Sequence, residues 1–172
     1  MNFFELVSQR ESCRNYTGEA VSTRDLEKII ETARLAPSAC NAQPWYFYVV
    51  TEKEKRESLA ASMQAFTKKA GAFIVIVEDK TSLPVKFANT VKKQNLPLID
   101  IGIVASHICF SATALNLSSC MIGWYQEKKI RQTLGLKASA RIRLVISIGH
   151  AVKNPIRPKK RKTLESIYTM IK

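Results

Sequence analysis

Pro37-Ser38-Ala39-Cys40-Asn41-Ala42-Gln43-Pro44-Trp45 ends one helical pattern, supplies a small-residue loop rich in amide groups, and launches an aromatic strand. Upstream, Leu26, Ile29, Ile30 and Ala33 recur at helical spacing, and Pro37 has no N–H with which to continue that ladder. Downstream, Trp45 to Thr51 is aromatic and β-branched, which predicts a largely buried strand. Between them, Ser38, Asn41 and Gln43 offer groups that both donate and accept, while Ala39 and Ala42 let a ligand come close to the backbone. That chemistry suits a flat heterocycle with polar edges. Read alone, the same residues also make an ordinary surface loop.

Working outward, Ser22 and Asp25 have the form of a capped helix start, and Phe3, Leu6, Val7 and Arg10 share one side of a short N-terminal helix. That helix runs into Arg10-Glu11-Ser12-Cys13-Arg14. In an extended chain residues 10, 12 and 14 project together, two cations and a hydroxyl that form a grip for an anion or a polar ring. Pairing of the arginines with Glu11 or Glu19 is the alternative. Past the loop, a charged helix is predicted over Lys53 to Thr67, with Leu59, Met63 and Phe66 inward. Ala72 to Val77 is an unbroken apolar run and reads as a central strand. Residues 80–97, bounded by Pro84 and Pro97, read as a lid or variable segment with a short helix near Phe87 to Lys93. Leu98 to Leu115 is apolar on nearly every side, as in a helix buried in a core or a subunit interface. Asp100 is its lone acid, placed by this reading at the helix N-terminus, and His107 reads as a satisfied core residue. Asn116 tolerates the left-handed conformation at which helices stop. Cys120 to Trp124 is a strand turning at Gly123, Glu127 to Leu134 a short helix ended by Gly135, and Arg141 to Gly149 a further strand. A proline-rich basic tail then leads to Thr163, the expected cap of a last helix through Ile171.

The 172 residues fit one domain, with 46% hydrophobic and 24% charged residues, in the ordinary globular range. No apolar run of the ~20 residues that span a membrane is apparent, and Glu5 breaks any signal-peptide form, so a cytoplasmic protein without a membrane partner is expected. Cys13, Cys40, Cys109 and Cys120 lack metal-ligand spacing, which points to reduced thiols and no metal. The net charge is +13, and Lys128 to Lys162 contains twelve Lys and Arg with no acid. Either a polyanion or a bound phosphate on a solvated basic face explains it. The tail has no interleaved aromatic residues for base stacking and no recognition-helix pattern, which disfavours nucleic acid.

Four blocks in this order resemble the flavin-dependent nitroreductase family: Arg10-x-Ser12-x-Arg14, the Pro37 to Trp45 loop, the helix opening Asp100-Ile101-Gly102-Ile103, and Lys159-x-Arg161-x-x-Leu164. The resemblance implies an α+β sandwich, a central mixed and mostly antiparallel sheet flanked by helices, in an intertwined homodimer with FMN at the interface. It further implies that Arg10, Ser12 and Arg14 hold the ribityl chain, phosphate and pyrimidine edge of FMN, with Arg14 facing the edge that gains charge on reduction. Pro37, Ser38 and Asn41 would reach the ring of the flavin held mainly by the other subunit, Gly123 and Trp124 would meet it near N5, and Lys159 with Arg161 would clamp the phosphate. The implied reaction is ping-pong transfer from NAD(P)H through flavin N5 to a small-molecule acceptor such as a nitroaromatic or quinone, and no catalytic side chain is assigned. Asn116-Leu117-Ser118 stands where the family usually has Gly-Leu-Gly. A flavin-fragmenting enzyme resembling dimethylbenzimidazole synthases and a non-catalytic flavin- or nucleic-acid-binding domain are the rival readings.

Overall fold

β1 (Trp45–Val50), β2 (Ala72–Glu78), β3 (Ser118–Ile122) and β4 (Arg141–Gly149) form one antiparallel sheet in the order β1-β2-β4-β3. The computed structural model describes residues 1–79, 94–152 and 156–172, so the helix expected near Phe87 to Lys93 lies outside the described residues. α1 (Phe3–Gln9), α2 (Thr23–Arg34), α3 (Lys53–Ala60), α4 (Leu96–Ala114) and α5 (Glu127–Thr133) flank the sheet. This is the expected α+β sandwich. Its parallel component is reduced to an isolated bridge between Ser12 and Ser119.

The unbroken apolar run of β2 is explained by its position. Alternate residues point to opposite faces, so Ala72, Ile74 and Ile76 join a core with α2 and α4, while Phe73, Val75 and Val77 join a second core with α3 and α5. Both faces are covered, and no polar alternation survives. β1, in contrast, is an edge strand: Trp45 and Val50 are buried, but Tyr46 and Val49 are exposed, which corrects the expectation of a largely buried strand. An edge strand needs only part of its surface covered, and the aromatic composition did not distinguish the two positions.

Local signals hold at several termini. Ser22 accepts the Asp25 N–H at 3.1 Å, and Asn2 with Glu5 forms a reciprocal capping box. Asn116 (φ 58°) and Gly135 (φ +64°) sit in the left-handed region just past α4 and α5. Elsewhere the expectations fail. The predicted helix 53–67 stops at Ala60 and resumes as a 3₁₀ segment, Ala65–Lys69. The last helix shrinks to one 3₁₀ turn, Leu164–Ser166, because Leu164, Ile167, Tyr168 and Ile171 are exposed and a short helix without a packed face is marginal. Pro97 does not close a preceding segment; it lies in the first turn of α4, where its missing N–H costs nothing. By length and hydropathy alone α4 could cross a membrane, a possibility the sequence reading did not see. It packs instead on α2 and β3 within the sandwich.

Tyr16 ties the N-terminal segment to the sheet. Its hydroxyl lies 2.8 Å from Ser147 Oγ in a fully buried site, and the neighbouring chain pairs with the end of β4 through Thr17 N–H to His150 O. Burial pushes the Tyr16 phenol well above its ordinary value, against the pull of Ser147, with smaller rises from the Cys13 and Cys120 thiols. The unfolded chain releases this proton near pH 10 while the folded chain keeps it, so stability is complete below that pH and falls as pH rises beyond it. Urea midpoints for wild type and Tyr16→Phe, followed from pH 8 to 11, are expected to show a steeper loss above pH 10 in wild type. Parallel curves would contradict this.

Candidate functional site

The bridge between Ser12 and Ser119, closed by Cys13 N–H donating to Ser119 O at 2.9 Å, pins residues 10–14 as an extended segment beside β3. Cys13 turns into the core. Arg10, Ser12 and Arg14 face a groove of about 500 Å3 whose opposite wall is Arg157 to Arg161. The structure therefore brings together five of the expected site residues: Arg10, Ser12, Arg14, Lys159 and Arg161.

The alternative of arginines paired with nearby acids is settled by geometry. Glu11 pairs with Arg157, at 3.2 Å, and among the described residues neither Arg10 nor Arg14 forms an ion pair with a carboxylate. The same holds for Lys159, Lys160 and Arg161. Six cations line one groove, and the only acid among its described lining residues, Glu11, is engaged by one of them, Arg157, which leaves five without a carboxylate partner. Partial burial holds the Lys159 ammonium below its ordinary value, and Arg10, Arg161 and Arg157 push the same way against Glu11. Behind the groove the Cys120 thiol is raised by burial, while the Arg14 charge and the Ser12 hydroxyl draw it back.

Strict alternation along an extended tail, which would turn Lys160 and Lys162 away from Lys159 and Arg161, does not hold. Lys160 lines the groove beside Lys159 and Arg161, and of these four only Lys162 stays off it, while the Arg161 guanidinium donates to Lys160 O at 2.7 Å. Arg157 was missed altogether. Its signal, an arginine just ahead of the basic block with Glu11 as the nearest unassigned acid of the other wall, became legible only once the segments met.

The Pro37 to Pro44 loop lies apart from this groove, and so do Gly123 and Trp124: none of Pro37, Ser38, Asn41, Gly123 and Trp124 is among its lining residues. The loop is held by itself. Gln43 N–H donates to Ser38 Oγ at 2.9 Å, and the Gln43 side-chain amide donates to Asn41 O and Oδ1. Cys40 (φ 52°), Asn41 (φ 51°) and Gln43 (φ 45°) all occupy the left-handed region, an uncommon conformation for residues with a Cβ. Three such residues within four positions constitute backbone strain, which persists where surrounding structure over-determines it and which gathers at functional sites.

One anchor is visible. Asp100 is buried, and its Oδ1 accepts the Ala39 N–H at 3.1 Å, while Oδ2 finds no partner among the described residues. Asp100 sits beyond the first turn of α4, so the loop amide, not the helix N-terminus, accounts for it. His107 is satisfied as expected, with Nδ1 3.0 Å from Ile103 O, but it is half-buried and not a core residue. Gly123 has open space around it and the Trp124 ring is 83% exposed, so both are available to a ligand or a second subunit. The cysteines are free, with Cys40 exposed and the other three buried, and no metal-ligating cluster occurs among the described residues.

Comparison with known proteins falls on the same side as this geometry. The sequence pattern that describes the Nitroreductase family matches residues 7–82 and 58–150. An oxygen-insensitive NADPH nitroreductase of Helicobacter pylori is 25% identical over a 197-residue alignment that covers 95% of this chain and 94% of the relative. The crystal structure of a nitroreductase family protein from Clostridium difficile 630 superposes with a TM-score of 0.85 at 31% identity, covering 98% of each chain. An FMN-dependent nitroreductase from Clostridium difficile R20291 gives a TM-score of 0.72 at 29% identity over 96% of this chain and 94% of that one.

Proposed function

This chain belongs to the Nitroreductase family and is an oxidoreductase, and we propose that it uses FMN to pass reducing equivalents from NAD(P)H to a small acceptor such as a nitroaromatic or quinone, by a ping-pong mechanism. The observation that carries the proposal is the groove in which Arg10, Arg14, Lys159, Lys160 and Arg161 converge with Ser12 and have no carboxylate partner among the described residues. Convergent cations of this kind fit a phosphate dianion, with which each forms charge-assisted hydrogen bonds. No G-x-G-x-x-G loop accompanies them, which favours a single phosphate over a pyrophosphate.

When bound, FMN would supply the redox chemistry, two-electron transfer between a nicotinamide and an acceptor. The chain contributes binding and electrostatics. Lys159, Arg161 and Arg10 would hold the phosphate, Ser12 would reach the ribityl chain, and Arg14 would be the cation at the pyrimidine edge, where negative charge would grow on reduction. Pro37, Ser38 and Asn41 of a second subunit, and Gly123 and Trp124 just past β3, would meet the ring. A homodimer is part of the proposal. It is supported by apolar surface that one protomer leaves open, namely Phe4, Leu98, Ile99 and Trp124, all well exposed.

The test is a visible spectrum of the purified protein followed by anaerobic addition of NADH or NADPH. A flavin spectrum that bleaches, and returns when a quinone or nitroaromatic is added, is expected. Colourless protein that takes up no added FMN overturns the proposal, and loss of intact flavin during turnover favours the flavin-fragmenting alternative. Within the groove, Lys159→Ala or Arg161→Ala is expected to weaken FMN by about 1.5–3 kcal/mol, tenfold or more, while Lys162→Ala leaves affinity unchanged. Equal effects in all three variants, measured by flavin fluorescence titration, would return the tail to the polyanion explanation.

A further inference from the structure

The two walls of the groove are far apart in sequence and carry charge of the same sign. Arg10 and Arg14 face Lys159, Lys160 and Arg161, so mutual repulsion opens the groove unless something holds the tail down. What holds it is specific. Glu11 Oε2 accepts the main-chain N–H of Arg157 at 3.3 Å and its Nε at 3.2 Å, and the same guanidinium donates through Nη2 to Ser12 O at 2.8 Å. The described hydrogen bonds that join residues 156–172 to the rest of the chain are these, all from Arg157. The apolar residues beyond, Leu164 to Ile171, are exposed and give the tail no other anchor among the described residues.

We propose that Glu11 and Arg157 are positioning residues, a clasp that docks the basic tail on the Arg10 to Arg14 segment and so assembles the phosphate groove before its ligand arrives. The inference rests on reading that groove as the FMN phosphate site. Neither residue is assigned to the phosphate itself, since the Arg157 fork is spent on Glu11 and Ser12 and Glu11 carries the wrong charge. Assembly in advance matters because a ligand that has to order a loose tail against charge repulsion loses part of its binding energy to that ordering.

The clasp makes a prediction of opposite sign to simple electrostatics. Glu11 is the one acid lining a cationic groove, so by field alone Glu11→Gln removes a repulsion and tightens a phosphate ligand. If Glu11 acts through Arg157, the same change weakens FMN. Fluorescence titrations of the full chain with FMN and with riboflavin, which lacks the phosphate, separate the two. Glu11→Gln and Arg157→Ala are each expected to weaken FMN fivefold or more with riboflavin unchanged, and the double variant to be no worse than the weaker single, as for residues acting in one contact. Unchanged riboflavin affinity also shows that the variants fold. Trypsin cleavage within Lys159 to Lys162, followed without flavin, is expected to be faster in both variants than in wild type. Tighter or equal FMN binding by Glu11→Gln, additive losses in the double variant, or unaltered cleavage overturns the clasp while leaving the FMN site intact. Equal affinity of wild type for FMN and riboflavin overturns the phosphate groove, and the clasp falls with it.

Discussion

Replacing Arg10 and Arg14 together with alanine is expected to weaken FMN by a hundredfold or more and to yield protein that purifies without colour. Both side chains face the groove, and neither forms a carboxylate ion pair among the described residues, so no internal partner competes for them. Each charge-assisted hydrogen bond is worth roughly 1.5–3 kcal/mol, so two losses sum to about 3–6 kcal/mol. Folding should survive, because the segment is held by main-chain pairing of Cys13 with Ser119 and by buried Tyr16, not by the guanidiniums. A single Arg14→Ala carries a second signature: if its charge faces the pyrimidine edge, the flavin reduction potential falls even at saturating FMN. Retention of wild-type FMN affinity by the double variant would remove the first wall of the site and with it the proposed function.

Ile76→Ala is expected to lower stability by about 2–5 kcal/mol, enough to threaten a fold of this size. Ile76 is 0% exposed, in the middle of β2, on the face packed by α2 and α4, beside the register shift between Ile76 and Val77. Little can collapse into the space it leaves, since Ile74 and Ile146 in the same core are equally buried and held by the strand ladder. Val49→Ala on the edge strand, 39% exposed, should cost under about 0.5 kcal/mol in the same urea titration. Similar losses at the two positions would mean that the sheet does not have the order found here.

Most elements were legible because their signals are local. Ser22 and Asp25 cap α2 through their own side chains, Asn116 and Gly135 stop helices by their own backbone freedom, and the apolar run of β2 announces its double burial. The extended Arg10-x-Ser12-x-Arg14 pattern placed its polar side chains on one wall for the same reason: alternation needs nothing beyond the strand. The resemblance to the nitroreductase family added Lys159 and Arg161, which no local rule connects with residue 10.

Tertiary structure decided what depends on a distant partner. Whether Tyr46 is buried depends on which strand lies beside β1, and whether Thr163 opens a helix depends on a face to pack, which the described residues do not offer. Asp100 was visible as the lone acid of an apolar helix, but its reason, the Ala39 amide 61 positions earlier, is a contact across the fold. The left-handed Cys40 and Gln43 carry no composition signal, and Asn41 only the general tolerance of asparagine for that region, because strain of this kind is set by the anchors around a loop more than by its residues. Local chemistry specified the elements, their caps and the grip at residues 10–14; the groove itself came into being only when the chain brought Arg157 back to Glu11, since a long-range ion pair has no periodicity by which a sequence can announce it.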